Sequence, residues 1–452
     1  MKKIFKFFPP KYYSQIDTVH LVGSFNNWNT AQMPMILEPE GKFWTYEMEL
    51  PEGSYAYKYL INGIEWLHDP RAHRYRQNEV GSLDSIAIIS KDDDLHAHFS
   101  PIAPTLDDKI IIYSKKSAGI MWSLNGWHPT AHGYLSNDIP NLDVNTQKMN
   151  YNSNSGYYEA TIGPFNKRKI PEVIVYNFIF EDGSVDNNDG SNYWLPVDLK
   201  ISGQSFNGSF LSRALQTEKP YRIYIPSAVK AGKSCPLLVM LHGYGGTHLS
   251  DWTQADTVKM LAERHGIIVL WVNGNSFAHG ESIPSWYINS PIIKSAQMED
   301  YIIKELIPKI ESDYNCNGVR FIGGISMGGF GSIYLALKYP GMFRRAASFS
   351  AIYSLYKYRR IDALKKLVGG DENWQKSMYN SIKMVKNAQN TDFYFIVGDE
   401  ERGALRDNFN LKLAMEKYGV KNEFRIYPGD HTNNFWRGHM QGMMEFFTKP
   451  LG

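Results

Sequence analysis

Residues 320–338 read RFIGGISMGGFGSIYLALK, an apolar strand followed by a helix, with the turn between them at GISMG, residues 324–328. This turn fits the pattern G-x-S-x-G, in which two glycines let the backbone bend without steric conflict. The bend lifts the hydroxyl of Ser326 to the top of the sheet that contains the strand. A serine hydroxyl is a weak nucleophile until a neighbouring base takes its proton. The stretch therefore predicts Ser326 as a catalytic nucleophile and requires a base elsewhere in the chain.

A second glycine-rich stretch, LHGYGG at residues 241–246, follows an apolar strand at residues 237–241. In α/β hydrolases the loop that binds the developing oxyanion lies at this point of the chain. The backbone N–H groups of Tyr244 and Met327 are expected to donate to that oxygen, and each such donor contributes about 3 kcal/mol. We therefore expect both amides to lie beside Ser326.

The general base is expected after a late strand, last of the three catalytic residues in chain order. His431 meets this condition, because it ends the segment YPGDH that begins at Tyr427, the last residue of a predicted strand. Trp436 follows closely. The nearest rival is His439, whose place inside the terminal helical segment favours packing or solvation. His431 is thus the predicted base.

The acid that orients the imidazole is expected between the nucleophile and the base. A predicted strand at residues 393–397 runs into Gly398-Asp399-Glu400-Glu401, so three carboxylates compete for the role. The residues alone do not choose among them.

Apolar patterns around these motifs indicate the fold. Residues 237–241 and 267–272 are nearly continuous apolar runs, as expected of strands buried on both faces. Apolar residues with helical spacing lie between residues 298 and 310. The alternation predicts a mostly parallel sheet covered by helices in residues 205–452.

From about Tyr221 onwards the chain resembles the esterase D family, which includes feruloyl and acetyl xylan esterases, S-formylglutathione hydrolases and mycolyltransferases. The matching stretches are Leu241–Gly246, Asp251-Trp252, Ser285–Tyr287, Gly324–Gly329 and Gly429–Trp436. The resemblance implies an α/β-hydrolase fold and a serine esterase. That family commonly carries the acid at the fourth position of a Gly-x-x-Asp turn, which here is Glu401. Because this residue is not aspartate, Asp399 remains an alternative. No cofactor is predicted.

The first 200 residues instead have short alternating strands separated by turn residues, a pattern typical of β-sandwiches. The strands are predicted at residues 18–22, 43–50, 54–61, 85–89, 110–113, 157–162 and 173–180. A polar stretch at residues 91–94 and the prolines Pro101 and Pro104 mark a linker. The predicted architecture is multidomain: two all-β, immunoglobulin-like sandwiches at residues 1–92 and 105–202, followed by an α/β-hydrolase domain at residues 205–452.

The first sandwich contains LVGSFNNW at residues 21–28, Tyr57-Lys58-Tyr59, and Asn62-Gly63 through to Asp69-Pro70. These segments resemble the glycogen-binding module of branching enzymes and of the β subunit of AMP-activated kinase. The resemblance implies that two rings stack on glucose and that two polar side chains bind its hydroxyls; the rings are Trp28 and Trp66, and the polar residues are Lys58 and Asn78. The alternative is that both rings belong to the core or to a domain interface.

The second sandwich contains WSLNGW at residues 122–127, Gly156-Tyr157-Tyr158 and DNNDGSNY at residues 186–193. These segments resemble the starch-binding modules of bacterial amylases. A tryptophan usually precedes the Asp-Asn-Asn run, and Val185 stands there instead, so weaker binding is expected. The remaining candidate rings are Trp122, Trp127 and Trp194. Residues 182–188 look superficially like a calcium loop, but the glycine is out of register for an EF-hand, so no metal site is predicted.

Composition narrows the class of partner. The formal net charge is +2 and no block of like charge stands out, which argues against nucleic acid and anionic membranes as partners.

The two cysteines, Cys235 and Cys316, are too few for a disulfide framework and are expected to be buried free thiols. No signal peptide is recognised, because prolines interrupt the first apolar run. The sequence as given predicts a cytoplasmic protein, or a secreted one if an export signal has been removed.

Together these patterns predict a serine carboxylic-ester hydrolase that acts on acylated carbohydrate, with acetyl or feruloyl groups. The sandwiches would hold an α-glucan (glycogen or starch) or a related polysaccharide such as xylan. One alternative is a hydrolase of siderophores or other small esters. Another is a polysaccharide-binding scaffold with an inactive hydrolase domain. Specificity is expected in the loop 274–292, whose Trp286 and Tyr287 would line the pocket.

Overall fold

The computed structural model describes residues 1–10, 13, 16–39, 41–78, 82–90, 99–124, 144–165, 173–188, 190–199, 201–249 and 256–450. The chain forms two compact units, Met1–Lys200 and Ile201–Gly452. The division of the first unit into two sandwich domains stays a prediction.

The described part of the first unit is built almost entirely of β-strands. They are β1 (Lys2–Phe7), β2 (Val19–Gly23), β3 (Ile36–Leu37), β4 (Trp44–Glu49), β5 (Gly53–Ile61), β6 (Glu65–Leu67), β7 (Arg74–Gln77), β8 (Leu83–Ile89), β9 (Phe99–Ser100), β10 (Ile110–Ser114), β11 (Ala118–Leu124), β12 (Asn145–Lys148), β13 (Asn150–Asn152), β14 (Tyr157–Ile162), β15 (Val173–Phe180), β16 (Val185–Asp186) and β17 (Tyr193–Pro196). A 3-10 turn covers Ser24–Asn26. Each of the seven strands predicted above is present, with ends within two residues of the prediction.

Four antiparallel sheets organise these strands. The first two have the orders β1-β4-β3 and β2-β5-β8-β7, with β6 beside β5. A core that includes Phe5, Phe7, Leu21, Tyr59 and Ile61 is formed by their buried residues. The other two have the orders β13-β14-β10-β9 and β12-β11-β15-β16, with β17 also paired to β15. The predicted β-rich character of this half is therefore confirmed, whereas the immunoglobulin-like topology stays a prediction.

The second unit combines strands and helices. Its strands are β18 (Gln204–Ser212), β19 (Thr217–Ile225), β20 (Cys235–Leu241), β21 (Ile268–Val272), β22 (Asn275–Ala278), β23 (Glu281–Pro284), β24 (Cys316–Ile325), β25 (Arg345–Phe349), β26 (Asp392–Gly398) and β27 (Asn422–Tyr427). Its helices are α1 (Ser227–Lys230), α2 (Asp256–His265), α3 (Met298–Asp300), α4 (Ile307–Asp313), α5 (Met327–Lys338), α6 (Asp362–Val368), α7 (Ser381–Met384), α8 (Arg402–Lys417) and α9 (Asn433–Thr448). A π-helical segment, Tyr301–Leu306, joins α3 to α4, and short 3-10 helices cover Leu355–Tyr358, Asp371–Asn373 and Val385–Asn387.

One eight-stranded sheet with the order β18-β19-β21-β20-β24-β25-β26-β27 forms the centre of this unit. Six neighbouring strands of this sheet are parallel, namely β21, β20, β24, β25, β26 and β27. At one edge, β19 pairs antiparallel with β21, and β18 pairs antiparallel with β19. The predicted mostly parallel sheet is confirmed. In such a sheet the carboxyl ends of the strands share one edge, where ligand sites form. The loops after β20, β24, β26 and β27 carry the predicted oxyanion donors, nucleophile, acids and base to that edge.

Two features bear on the compositional predictions. Cys235 and Cys316 are both free, and they lie opposite one another on neighbouring strands. Burial raises the pKa of the Cys235 thiol, and it raises the pKa of Cys316 to about 12. Within the described ranges, no helix is both long and apolar enough to span a bilayer.

Candidate active site

The turn between β24 and α5 holds Ser326 in a strained backbone conformation, with φ 49° and ψ −115°. Such strain persists only where the surroundings enforce it. A Cβ on Gly328 would lie 2.1 Å from the carbonyl oxygen of Leu241, and one on Gly324 would lie 2.4 Å from the backbone of Gly328. The two glycines are therefore needed for the close approach of β20 to the turn.

His431 lies between the serine and a carboxylate. Its Nε2 is 3.0 Å from the Oγ of Ser326, and its Nδ1 is 2.6 Å from Oε2 of Glu401. The carboxylate can only accept, so Nδ1–H donates to it and Nε2 is left to accept the serine proton. The three residues thus have the geometry of a nucleophile, a base and an orienting acid.

The geometry distinguishes Glu401 from Asp399 as the orienting acid. The side chain of Glu401 is only 4% exposed, and its Oε1 accepts from the Gly398 backbone N–H at 2.9 Å and from the Ser350 hydroxyl at 2.6 Å. Asp399 is exposed, and its Oδ1 accepts from the backbone N–H of Gly429 at 3.0 Å. Glu401 is therefore the carboxylate that faces His431.

His242 supports the neighbouring loop. Its Nε2 accepts from the backbone N–H of Gly274 at 2.8 Å, so its proton resides on Nδ1, which donates to the carbonyl of Gly243 at 2.7 Å. Burial lowers the pKa of His242 to about 4, with smaller contributions in the same direction from Lys219 and His248 and an opposing one from the hydrogen bond to Gly243. The ring is therefore neutral near pH 7.

The predicted oxyanion donors border the nucleophile. Met327 begins α5, and the first amides of a helix have no acceptor within the helix. The loop that leads to Tyr244 passes beside Ser326, since a Cβ added to Gly243 would lie 3.7 Å from the serine Cβ. The side chain of Tyr244 is 56% exposed.

Two aromatic residues, Trp286 and Tyr287, pack against the loop that carries Tyr244. Trp286 and Tyr287 both have positive φ angles, 53° and 58°. The Tyr287 hydroxyl donates to the carbonyl of His242 at 2.8 Å. The ring of Trp286 lies 6.4 Å from that of Tyr244 and 6.1 Å from that of Phe330, measured between centroids. Trp286 and Tyr287 are predicted to line the pocket. Tyr287 is instead fully buried, and its hydroxyl supports the loop that begins at His242.

Sequence reasoning missed Ser350. It follows β25 directly, and its hydroxyl donates to Glu401 while accepting from the indole N–H of Trp436 at 2.9 Å. A single serine after a strand matches no motif, so no sequence signal identifies it. Trp436 belongs to the matching stretch Gly429–Trp436, and its ring packs edge-on against the imidazole of His431, with 4.9 Å between the ring centroids.

The predicted sugar-binding residues of the first module divide into two groups. The rings of Trp28 and Trp66 lie 6.3 Å apart, and Trp66 is 40% exposed. Lys58 is buried, donates to Ser82 and pairs with Asp84 at 3.7 Å. Asn78 donates to the same two residues, at 3.0 Å to Ser82 and 2.8 Å to Asp84. The structure therefore brings the two rings together, and it brings Lys58 and Asn78 together at Ser82 and Asp84.

Two of the three candidate rings of the second module lie in the described part of the chain. Trp194 is only 5% exposed and its indole donates to the carbonyl of Ser191 at 2.8 Å, which does not fit its predicted role as a stacking ring. Trp122 is half-buried on β11. Trp127 lies outside the described residues.

Comparison with known proteins finds separate matches for the two units of the chain. Residues 212–447, just over half of the 452, match a family described as putative esterase, and residues 11–95 match the glycogen recognition site of AMP-activated protein kinase. An acetyl esterase of Caldicellulosiruptor saccharolyticus is 23% identical over 47% of this chain and 83% of its own length. The S-formylglutathione hydrolase of Mus musculus is 27% identical over 49% and 85%. The solved S-formylglutathione hydrolase of Agrobacterium tumefaciens is 22% identical, covers 56% of this chain and 97% of its own, and has a TM-score of 0.49.

The close packing at Gly328 predicts a large effect of one added methyl group. Gly328→Ala should lower the free energy of unfolding by roughly 3 kcal/mol or more, because the new Cβ meets backbone and not a movable side chain. Gly403→Ala is the matched control: Gly403 lies in the first turn of α8, where the nearest neighbour of an added Cβ would be the Tyr358 hydroxyl at 3.9 Å, so the change should raise stability by up to about 1 kcal/mol. Scanning calorimetry measures both, and equal effects would contradict the packing argument.

The assignment of the acid predicts unequal effects of two amide substitutions. Glu401→Gln should lower kcat about 1000-fold or more, since the amide cannot hold the imidazolium that forms during reaction. Asp399→Asn should keep kcat within about fivefold, because its carboxylate contacts a backbone amide and not the imidazole. Steady-state kinetics on one activated ester tests both; the reverse order of losses would make Asp399 the acid.

Buried, neutral His242 predicts a loss of stability in acid. In the unfolded chain the ring titrates near pH 6.5, and in the folded chain near pH 4. Between these pH values the unfolded chain binds a proton at this ring that the folded chain does not bind. The contribution of His242 to the free energy of unfolding is therefore complete above pH 6.5 and falls by about 3 kcal/mol towards pH 4. Urea unfolding should give a shallower pH slope for His242→Asn than for the parent, whereas exposed His279→Asn should keep the parent slope.

Proposed function

Because the chain belongs to the putative esterase family and is a carboxylic-ester hydrolase, we propose that Ser326, His431 and Glu401 cleave acyl esters carried by carbohydrate. The observation that carries the proposal is the unbroken hydrogen-bonded series from Glu401 through His431 to Ser326.

The reaction proceeds in two halves. Ser326 Oγ attacks the ester carbonyl while His431 Nε2 takes the serine proton, and Glu401 stabilises the imidazolium. The amides of Tyr244 and Met327 donate to the oxyanion. His431 then protonates the leaving alcohol, which leaves an acyl-enzyme. Water attacks the acyl carbonyl, gives its proton to His431, and that proton returns to Ser326 as the carboxylic acid departs.

The acyl group is proposed to be acetyl or feruloyl. The rings of Tyr244 and Trp286 lie 6.4 Å apart, and a pair of aromatic rings suits either a small acyl group or a flat phenolic one. Sequence similarity to an acetyl esterase supports the smaller group.

The first module is proposed to hold the polysaccharide. It matches the glycogen recognition site, and its paired rings at Trp28 and Trp66 offer apolar faces that suit a sugar ring. An α-glucan is the favoured ligand, with xylan as a related possibility for the test. A starch-type second module would add weaker contacts through Trp122. Tethering the catalyst to the polymer raises the local concentration of ester without any new contact at the active site.

Ester hydrolysis tests the catalytic half of the proposal. The parent chain should release acid from p-nitrophenyl acetate and from methyl ferulate, and Ser326→Ala should lose about 10000-fold or more of kcat because the nucleophile is gone. Both proteins should be retarded equally in native gels that contain glycogen. Retardation without hydrolysis of any ester by the parent would instead identify a binding scaffold.

Glycogen retardation also tests the role of the paired rings. Trp66→Ala should raise the Kd for glycogen, obtained from retardation at several glycogen concentrations, about tenfold, because one stacking face is lost. Ile36→Ala, which removes an exposed apolar side chain from β3 of the same module, should leave retardation unchanged. Equal retardation of the Trp66→Ala variant and the parent would remove this ring from the binding surface; a xylan gel run in parallel tests the second glycan.

A further inference from the structure

Ser350 occupies a strained and buried position at the catalytic edge of the sheet. It follows β25, its φ is 53°, and it is 2% exposed. Its backbone N–H donates to the carbonyl of Ile396 on β26 at 2.8 Å. A non-glycine residue with positive φ costs on the order of 1 kcal/mol or more and is retained where the surroundings enforce it, commonly at functional sites.

The hydroxyl of Ser350 has a defined direction. The indole N–H of Trp436 can only donate, so Ser350 Oγ accepts from it at 2.9 Å. The single hydroxyl proton is then free to donate to Oε1 of Glu401 at 2.6 Å. The serine is therefore held with its proton pointing at the carboxylate.

This arrangement fixes the carboxylate from one side. Oε1 of Glu401 accepts two hydrogen bonds, from Ser350 and from the backbone N–H of Gly398, while Oε2 faces only the imidazole among the contacts of the described residues. With Oε1 anchored twice, rotation of the carboxylate away from His431 requires breaking two charge-assisted bonds. The ring of Trp436 also packs against the imidazole, so one residue contacts both His431 and the serine that orients its acid.

We propose that Ser350 is a positioning residue of the reaction, which holds Glu401 in the orientation that His431 requires, and that the Trp436 indole N–H acts through Ser350. The inference rests on the proposed ester hydrolysis by Ser326. Ser350 contacts no reacting atom, so its effect should fall on kcat and not on KM.

Ser350→Gly is the decisive variant. Glycine adopts a positive φ without strain, so the change removes the hydroxyl without forcing the backbone. We expect kcat to fall about 10- to 100-fold with KM within about twofold of the parent, as for loss of one hydrogen bond to a charged group. The thermal midpoint should stay within a few degrees of the parent.

Trp436→Phe tests the coupling, because it keeps an aromatic ring at the position beside His431 and removes the indole N–H, at the cost of a smaller ring. We expect kcat to fall several-fold in the parent and not to fall further in the Ser350→Gly background, since two residues in one series are not additive. Trp374→Phe is the matched control. Trp374 is about as buried as Trp436, and its indole donates to Gly369 at 3.3 Å, so this variant should keep the parent kcat.

The outcomes separate this inference from the proposed function. If Ser350→Gly keeps kcat within twofold while the parent hydrolyses esters and Ser326→Ala does not, the inference fails and the function stands. If Ser350→Gly loses kcat together with a large fall in the thermal midpoint, or Trp436→Phe adds a full further loss to it, the positioning role is also overturned. If the parent hydrolyses no ester, labelling of Ser326 by a fluorophosphonate decides: tenfold slower labelling of Ser350→Gly supports the role, and an unchanged rate contradicts it.

Discussion

The hydrogen bond between Nδ1 of His431 and the carboxylate of Glu401 is the interaction on which the site depends. It assigns the imidazole proton to Nδ1, and this assignment leaves Nε2 able to take the proton of Ser326. The carboxylate is nearly buried, which strengthens the bond but requires every lone pair on Oε1 to find a donor. Gly398 and Ser350 supply those donors.

The parallel sheet makes this bond possible. Ser326, Glu401 and His431 follow β24, β26 and β27, which end at the same edge, so residues more than 100 positions apart come into contact. The loop after β20 reaches the same edge and is held by neutral His242. Four short loops can therefore carry the proposed nucleophile, acid, base and oxyanion donors, while the strands beneath supply rigidity.

The sequence predicted the parts of this arrangement that depend on local pattern. Ser326 and His431 both stand in short motifs directly after a strand, and the strand before Ser326 ends in an apolar, buried run. Asp399 and Glu401 could not be separated, because they share one turn and only side-chain direction distinguishes them. Ser350 has no motif at all. Trp194 shows another limit: every residue of β17 is buried, so alternation along the strand did not indicate which rings face solvent.

Trapping the acyl-enzyme is the sharpest test of Ser326 as the nucleophile. The chain would be mixed with p-nitrophenyl acetate, quenched in acid during turnover, and digested for peptide mass analysis. We expect one acetyl group on the peptide that contains Ser326, and much slower accumulation of that group in His431→Ala. Turnover without any acetylated peptide, or acetylation at a different residue, would contradict it.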